Sequence, residues 1–119
     1  MGAMKSLKLA QMELVEENAE RIVEACLVAD KGKACVKVVS LLKKCGFASS
    51  SPNVNSCVTS NLNAIQRVFS KVATAHNQGM KTSWDGKSFE RVGRAVDETE
   101  TFLSMIGFTT DLKYLSRLK

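Results

Sequence analysis

One histidine, one proline, one tryptophan and one tyrosine occur in 119 residues, and each scarcity closes off a class of function. With a single histidine and no placed partner for it, no Ser-His-Asp set can be assembled. Neither GxxxxGK[ST] nor GxGxxG occurs, so no phosphate-cradling loop of either kind is present. Few aromatic rings leave few platforms on which nucleic-acid bases could stack. The uncharged apolar runs fall far short of the roughly 18 residues that a membrane span requires. No basic start followed by an apolar block and a cleavage site is seen, so secretion is not expected and the cytoplasm, or also the nucleus, is. No membrane partner is expected either.

Metal-ligand spacing is also missing. Cys26, Cys35, Cys45 and Cys57 form no CxxC pair, and His76 lies far along the chain from them. They read as buried free thiols in a reducing compartment, with no metal and no cofactor. Cys45 stands beside Lys43 and Lys44, an arrangement that can activate a thiolate, but a thiol at the end of an apolar helix is read first as core. Glu98 and Glu100 read as solvated helix carboxylates. No enzyme is expected.

What is present is an ordinary globular composition, 45% hydrophobic and 24% charged, and enough length for one domain. Met1, Gly2 and Ala3 ahead of Met4 read as a tag remnant. The net charge of +5 is segregated. Six cations (Arg67, Lys71, Lys81, Lys87, Arg91, Arg94) face two anions between Asn61 and Val96, and four anions with no cation follow from Asp97 to Asp111. Such a field can recruit an acidic peptide or nucleic acid, or be no more than solvated helix faces.

Apolar periodicity predicts helices. Over Leu7 to Asp30, Met12, Val15, Ala19, Ile22, Val23 and Cys26 form one stripe, with Gly32 the expected stop. A second helix is predicted from about Lys33 to Cys45, with Cys35, Val38, Val39 and Leu42 inward. Ser51-Pro52 then reads as an N-cap and first helical residue. Val54, Val58, Leu62, Ile65, Phe69 and Val72 continue at helical steps towards His76, and Gly79 is the expected stop. A break near Ser56 to Ser60 would divide this segment in two. A last long helix opens near Ser88 and buries Phe89, Val92, Val96, Leu103 and Ile106. Gly107 sits where a left-handed cap belongs, with Phe108 folding back on the last turn. LLKKCGF (Leu41 to Phe47) and FLSMIGF (Phe102 to Phe108) share this ending, read as two helices solving the same capping problem and not as a repeat. Leu112 to Lys119 is compatible with a short helix, or Leu112 to Leu115 with an edge strand.

From Trp84 onward the sequence resembles the PUB domain of peptide:N-glycanase and the HOIL-interacting ubiquitin ligase. Trp84 lies five residues before Phe89, and Gly107-Phe108 fall at the 18th and 19th positions after it, as the family's large apolar residue, fixed phenylalanine and Gly-aromatic pair do. Ala95-Val96 and Phe102-Leu103 occupy positions where the family places apolar residues. The resemblance covers roughly Pro52 to Asp111. It implies a mainly α fold, a compact bundle of four or five helices with at most a small β element near the C-terminus. Residues 48–119 would be the PUB-like core and 4–47 a helical extension packed on it within a single compact unit.

The function it implies is binding without chemistry. PUB domains hold the acidic, aromatic-ending C-terminal tail of the AAA ATPase valosin-containing protein, or a similar short peptide, in ubiquitin–proteasome pathways. Carried over by position, Trp84 and Phe89 would wall the pocket, Asp85, Gly86 and Lys87 would form its loop, and Lys81 would sit beside it. His76 and Asn77 would approach from the preceding helix. A lone Trp beside a turn is equally the plug of a core. Gly86 departs from the family's usual asparagine, whose lost hydrogen bond is worth about 1 kcal/mol. The family also continues past its Gly-aromatic pair with a small sheet and a further helix, for which only Thr109 to Lys119 remain. The binder is expected to be a monomer. The alternatives are a structural helical interaction domain of a larger assembly and a basic helical nucleic-acid-binding module.

Overall fold

The computed structural model describes the backbone of residues 2–49, 51–81 and 86–118, and side chains within 7–49, 51–78 and 90–118. Among the described residues the order is α1 (Gly2–Cys26), α2 (Lys31–Lys44), β1 (Phe47–Ser49), α3 (Val54–Ser60), α4 (Leu62–Lys81), α5 (Gly86–Met105), β2 (Phe108–Thr110) and α6 (Leu112–Arg117). The protein is therefore mainly helical, with one small two-stranded sheet. Helices outnumber the four or five expected because the segment after Pro52 divides and the tail closes as a helix.

The helical stripes bury as their periodicity demands. Val15, Ala19 and Ile22 of α1, Val38 and Leu42 of α2, Ile65, Phe69 and Val72 of α4, and Val92 and Leu103 of α5 are fully buried in one cluster. The first two helices thus supply a large part of the shared core, where residues 4–47 were expected as an extension. Helix α1 includes Gly2 and Ala3, which had been set aside as a tag remnant.

Local chemistry moved four boundaries. Helix α1 closes at Cys26 on short bonds, Leu27 N to Glu24 O and Val28 N to Ala25 O. Gly32 lies inside the first turn of α2, because the Asp30 carboxylate accepts from Lys33 N at 3.1 Å and starts a helix there. The segment after Pro52 breaks at Asn61, one residue beyond the anticipated Ser56–Ser60 zone. There Asn61 Nδ2 donates to Cys57 O at 2.7 Å, taking a carbonyl from the helix ladder, as Asn side chains do. Helix α4 then runs through Gly79 to Lys81. A glycine inside a helix costs only about 0.5–1 kcal/mol, too little to force an exit here.

The two Gly-Phe endings meet. Gly46 and Gly107 both have left-handed backbones, φ 88° and 103°, and the strands they launch pair antiparallel with Phe47 opposite Thr110 and Ser49 opposite Phe108. Helix, helix, Gly-Phe strand and short helix therefore occur twice in order, a correspondence of element order beyond the shared capping solution. Phe47 and Phe108 are both buried, at 3% and 1% exposure. Gln11 of α1, itself buried, fixes the junction: its Nε2 donates to Gly46 O at 3.1 Å and its Oε1 accepts from Thr110 Oγ1 at 3.4 Å. Asp111 N donates to the same Gly46 carbonyl at 2.8 Å. The Asp111 carboxylate then caps α6 by accepting from Tyr114 N at 3.0 Å, which decides between helix and strand for the tail.

Candidate peptide-binding site

The corner between α4 and α5 is where the sequence places a pocket. Lys81 ends α4 and Gly86 begins α5, so a short connection turns the chain between two long amphipathic helices. Lys71 Nζ and Glu98 Oε2, set back by similar distances from that corner, stand 3.6 Å apart, which aligns the two helices alongside each other. Both groups are well exposed, so their attraction contributes little stability. Trp84 and Asp85 lie outside the described residues. Lys81, Gly86, Lys87 and Phe89 are described only as backbone, Lys81 at the end of α4 and the others in the first turn of α5. Gly86 and Lys87, expected in the pocket's loop ahead of a helix opening near Ser88, are therefore themselves helical.

His76 and Asn77, the two remaining candidates, hold α4 to α1. His76 Nδ1 is 3.0 Å from Glu16 Oε2, and Asn77 Nδ2 donates to Glu20 Oε1 at 3.0 Å. The Glu16 side chain is 11% exposed, and burial raises its carboxyl above the ordinary value of 4.5 despite the lowering effect of His76; Glu13 and Glu17 push it up further. These two residues therefore tie the end of α4 to α1 through one side-chain nitrogen each. Sequence reasoning missed Glu16 and Glu20 because both look like solvent-facing glutamates of an acidic helix surface.

Three cations of α4 and α5 stay available. Arg67, Arg91 and Arg94 are exposed and make no ion pair with another described residue. On the opposite side, Lys8 Nζ lies 3.2 Å from Asp97 and 4.0 Å from Glu100, so the acidic stretch of α5 is partly neutralised by α1. The acidic stretch of α5 thus meets cations of both α1 and α4, while Arg91 and Arg94 in its first half remain unpaired among the described residues.

A second concavity lies by the sheet. Leu7, Leu9, Leu112 and Leu115 line a largely apolar groove of about 520 Å³, with Gln11 and Thr110 beside them. Its signal in the sequence was faint, since it draws on both ends of the chain.

Three of the four thiols are shielded by position. Cys26, Cys35, Cys45 and Cys57 are all free, and the first three are buried. Burial pushes Cys45 up to about 12 and Cys26 up to about 11, with Glu17 adding to the rise at Cys45. Cys45 Sγ donates to Leu14 O at 3.6 Å, so Lys43 and Lys44 do not activate it. Among the described residues no group of three His, Cys, Asp or Glu side chains is gathered to hold a metal ion. None of the helices described is long and apolar enough to cross a membrane. In comparisons with known proteins, no family model, no curated protein and no solved structure matches this chain.

Proposed function

We propose that this protein is a peptide-binding adaptor of the PUB kind, which takes an acidic, aromatic-ending C-terminal tail at the α4–α5 corner. The tail of the AAA ATPase valosin-containing protein is the ligand the resemblance implies, in ubiquitin–proteasome pathways of the cytoplasm or nucleus. In this reading Trp84 and Phe89 flank the aromatic side chain, and Lys81, Lys87 and Arg91 draw the acidic residues towards it. A few buried anchors would carry affinity, while the basic rim sets approach and orientation.

One observation carries the reading. Helix α5 ends at Met105 and is followed by Gly107, at φ 103°, and Phe108, only 1% exposed, while Ala95, Val96 and Leu103 along it are buried. These are the positions at which the family-like spacing calls for a cap and for apolar residues, and that spacing is counted from Phe89. A strand and a short helix follow the cap, in keeping with a shortened version of the family's ending. Titration with the ATPase tail peptide, followed by the fluorescence of Trp84, the single tryptophan, tests the proposal. A saturable change that Phe89→Ala abolishes is expected. Equal binding by wild type and Phe89→Ala would remove the pocket, and no change at high peptide concentration would remove the function.

A structural role within an assembly is favoured by a separate observation: Val36 is 70% exposed beside the groove between α1 and α2.

A further inference from the structure

Helix α2 carries five lysines and no acidic residue. Its core face is complete without Val36, since Ala34, Cys35, Val38 and Leu42 are buried. Val36 is nevertheless 70% exposed, and it borders a groove of about 550 Å³ that α2 forms with α1. Ala25, Val28 and Leu41 give this groove an apolar floor. Arg21, Lys37 and Lys44 stand around the floor against a single acid, Glu24. None of these three cations forms an ion pair with another described residue. The other side of α1 is already occupied, where Glu16 and Glu20 hold His76 and Asn77.

We infer that the α1–α2 groove is a docking site for an acidic amphipathic helix of a partner protein. Two helices with an apolar trough between them accept a third helix by its aliphatic face, read at i, i+4 and i+7 spacing. Aliphatic side chains of the partner cover Val36, Val28 and Leu41, and flanking carboxylates face Arg21, Lys37 and Lys44. Charge complementarity selects the sign of the partner, and the exposed valine selects its apolar stripe. A nucleic-acid backbone fits less well, because the lining holds no aromatic side chain for base stacking and includes Glu24. This site shares no residue with the α4–α5 corner.

The test uses the full chain and a fluorescein-labelled synthetic helical peptide with leucines at i, i+4 and i+7 among glutamates. Two controls accompany it: the same peptide with glutamine for leucine, and an oligothymidylate. Saturating anisotropy with the leucine peptide is expected, at least about tenfold weaker with the leucine-free control and with Val36→Glu. Lys37→Glu should weaken binding similarly, and Phe89→Ala should leave it unchanged. Val36 is exposed, so its replacement leaves the fold intact, which circular dichroism checks. Equal binding of the leucine-free peptide or the oligothymidylate would reduce the groove to bare charge and overturn the assignment. So would an unaffected Val36→Glu variant, or no saturation at all.

Discussion

Alanine at Gly46 should be markedly more damaging than alanine at Gly107, although both glycines have positive φ and both follow an α-helix. An L-residue held in the left-handed region costs about 1–2 kcal/mol, offset by about 0.4–1 kcal/mol from stiffening the unfolded chain. At Gly107 a new Cβ would meet Ser51 Cβ at 3.3 Å, a contact that a small shift relieves. The net cost there is about 1 kcal/mol. At Gly46 the Cβ would stand 2.7 Å from Leu115 Cδ2 and 3.1 Å from Leu115 Cγ. Leu115 is fully buried, so it cannot swing into solvent, and overpacking adds about 1–3 kcal/mol. Gly46→Ala should therefore lose about 2–4 kcal/mol, and any displacement also disturbs the carbonyl that Gln11 and Asp111 share. In urea unfolding this places its midpoint roughly 1 M below that of Gly107→Ala. Shrinking Leu115 to alanine should recover part of the Gly46→Ala loss, a favourable coupling readable in a double-mutant cycle. If Gly107→Ala costs as much as Gly46→Ala, or if the Gly46 and Leu115 changes simply add, the steric account of this junction is wrong.

Two further predictions come from buried titratable groups. Against an aromatic disulfide reagent under native conditions, Cys57, which is only half-buried, should react first, and Cys45, pushed up to about 12, only on the timescale of global unfolding; prompt modification of Cys45 would contradict its placement. Because burial raises Glu16 above 4.5, the native state binds its proton more tightly than the unfolded chain does. This contribution is fully present below the unfolded value and is lost as pH rises through the native one. Urea midpoints of wild type should thus fall relative to Glu16→Gln as pH increases from 4.5 through that window, and parallel profiles would refute the assignment.

The helices were legible because their stripes are long: Val15, Ala19 and Ile22, or Ile65, Phe69 and Val72, repeat a 3.6-residue period that few other structures tolerate. The caps at Gly46 and Gly107 were legible because backbone geometry there selects glycine almost alone. Strand pairing was not, since three-residue strands have no measurable period and Phe47 meets Thr110 only across the whole fold. Gly32 misled because a side-chain cap two residues before it, Asp30, outcompeted it. For the site, the corner between α4 and α5 was legible as a turn between two amphipathic runs, and Trp84 and Asp85 themselves lie outside the described residues. The engagement of His76 and Asn77 by Glu16 and Glu20 was invisible, because contacts between residues some sixty positions apart leave no local pattern.

The most direct test of the peptide-binding account is a map of backbone amide shifts as the acidic, aromatic-ending tail peptide is added to the uniformly labelled protein. The account predicts saturable shifts concentrated between Lys81 and Arg91, with the Trp84 indole among the largest and the α1–α2 face quiet. Shifts confined to that other face, or none at all, would contradict it.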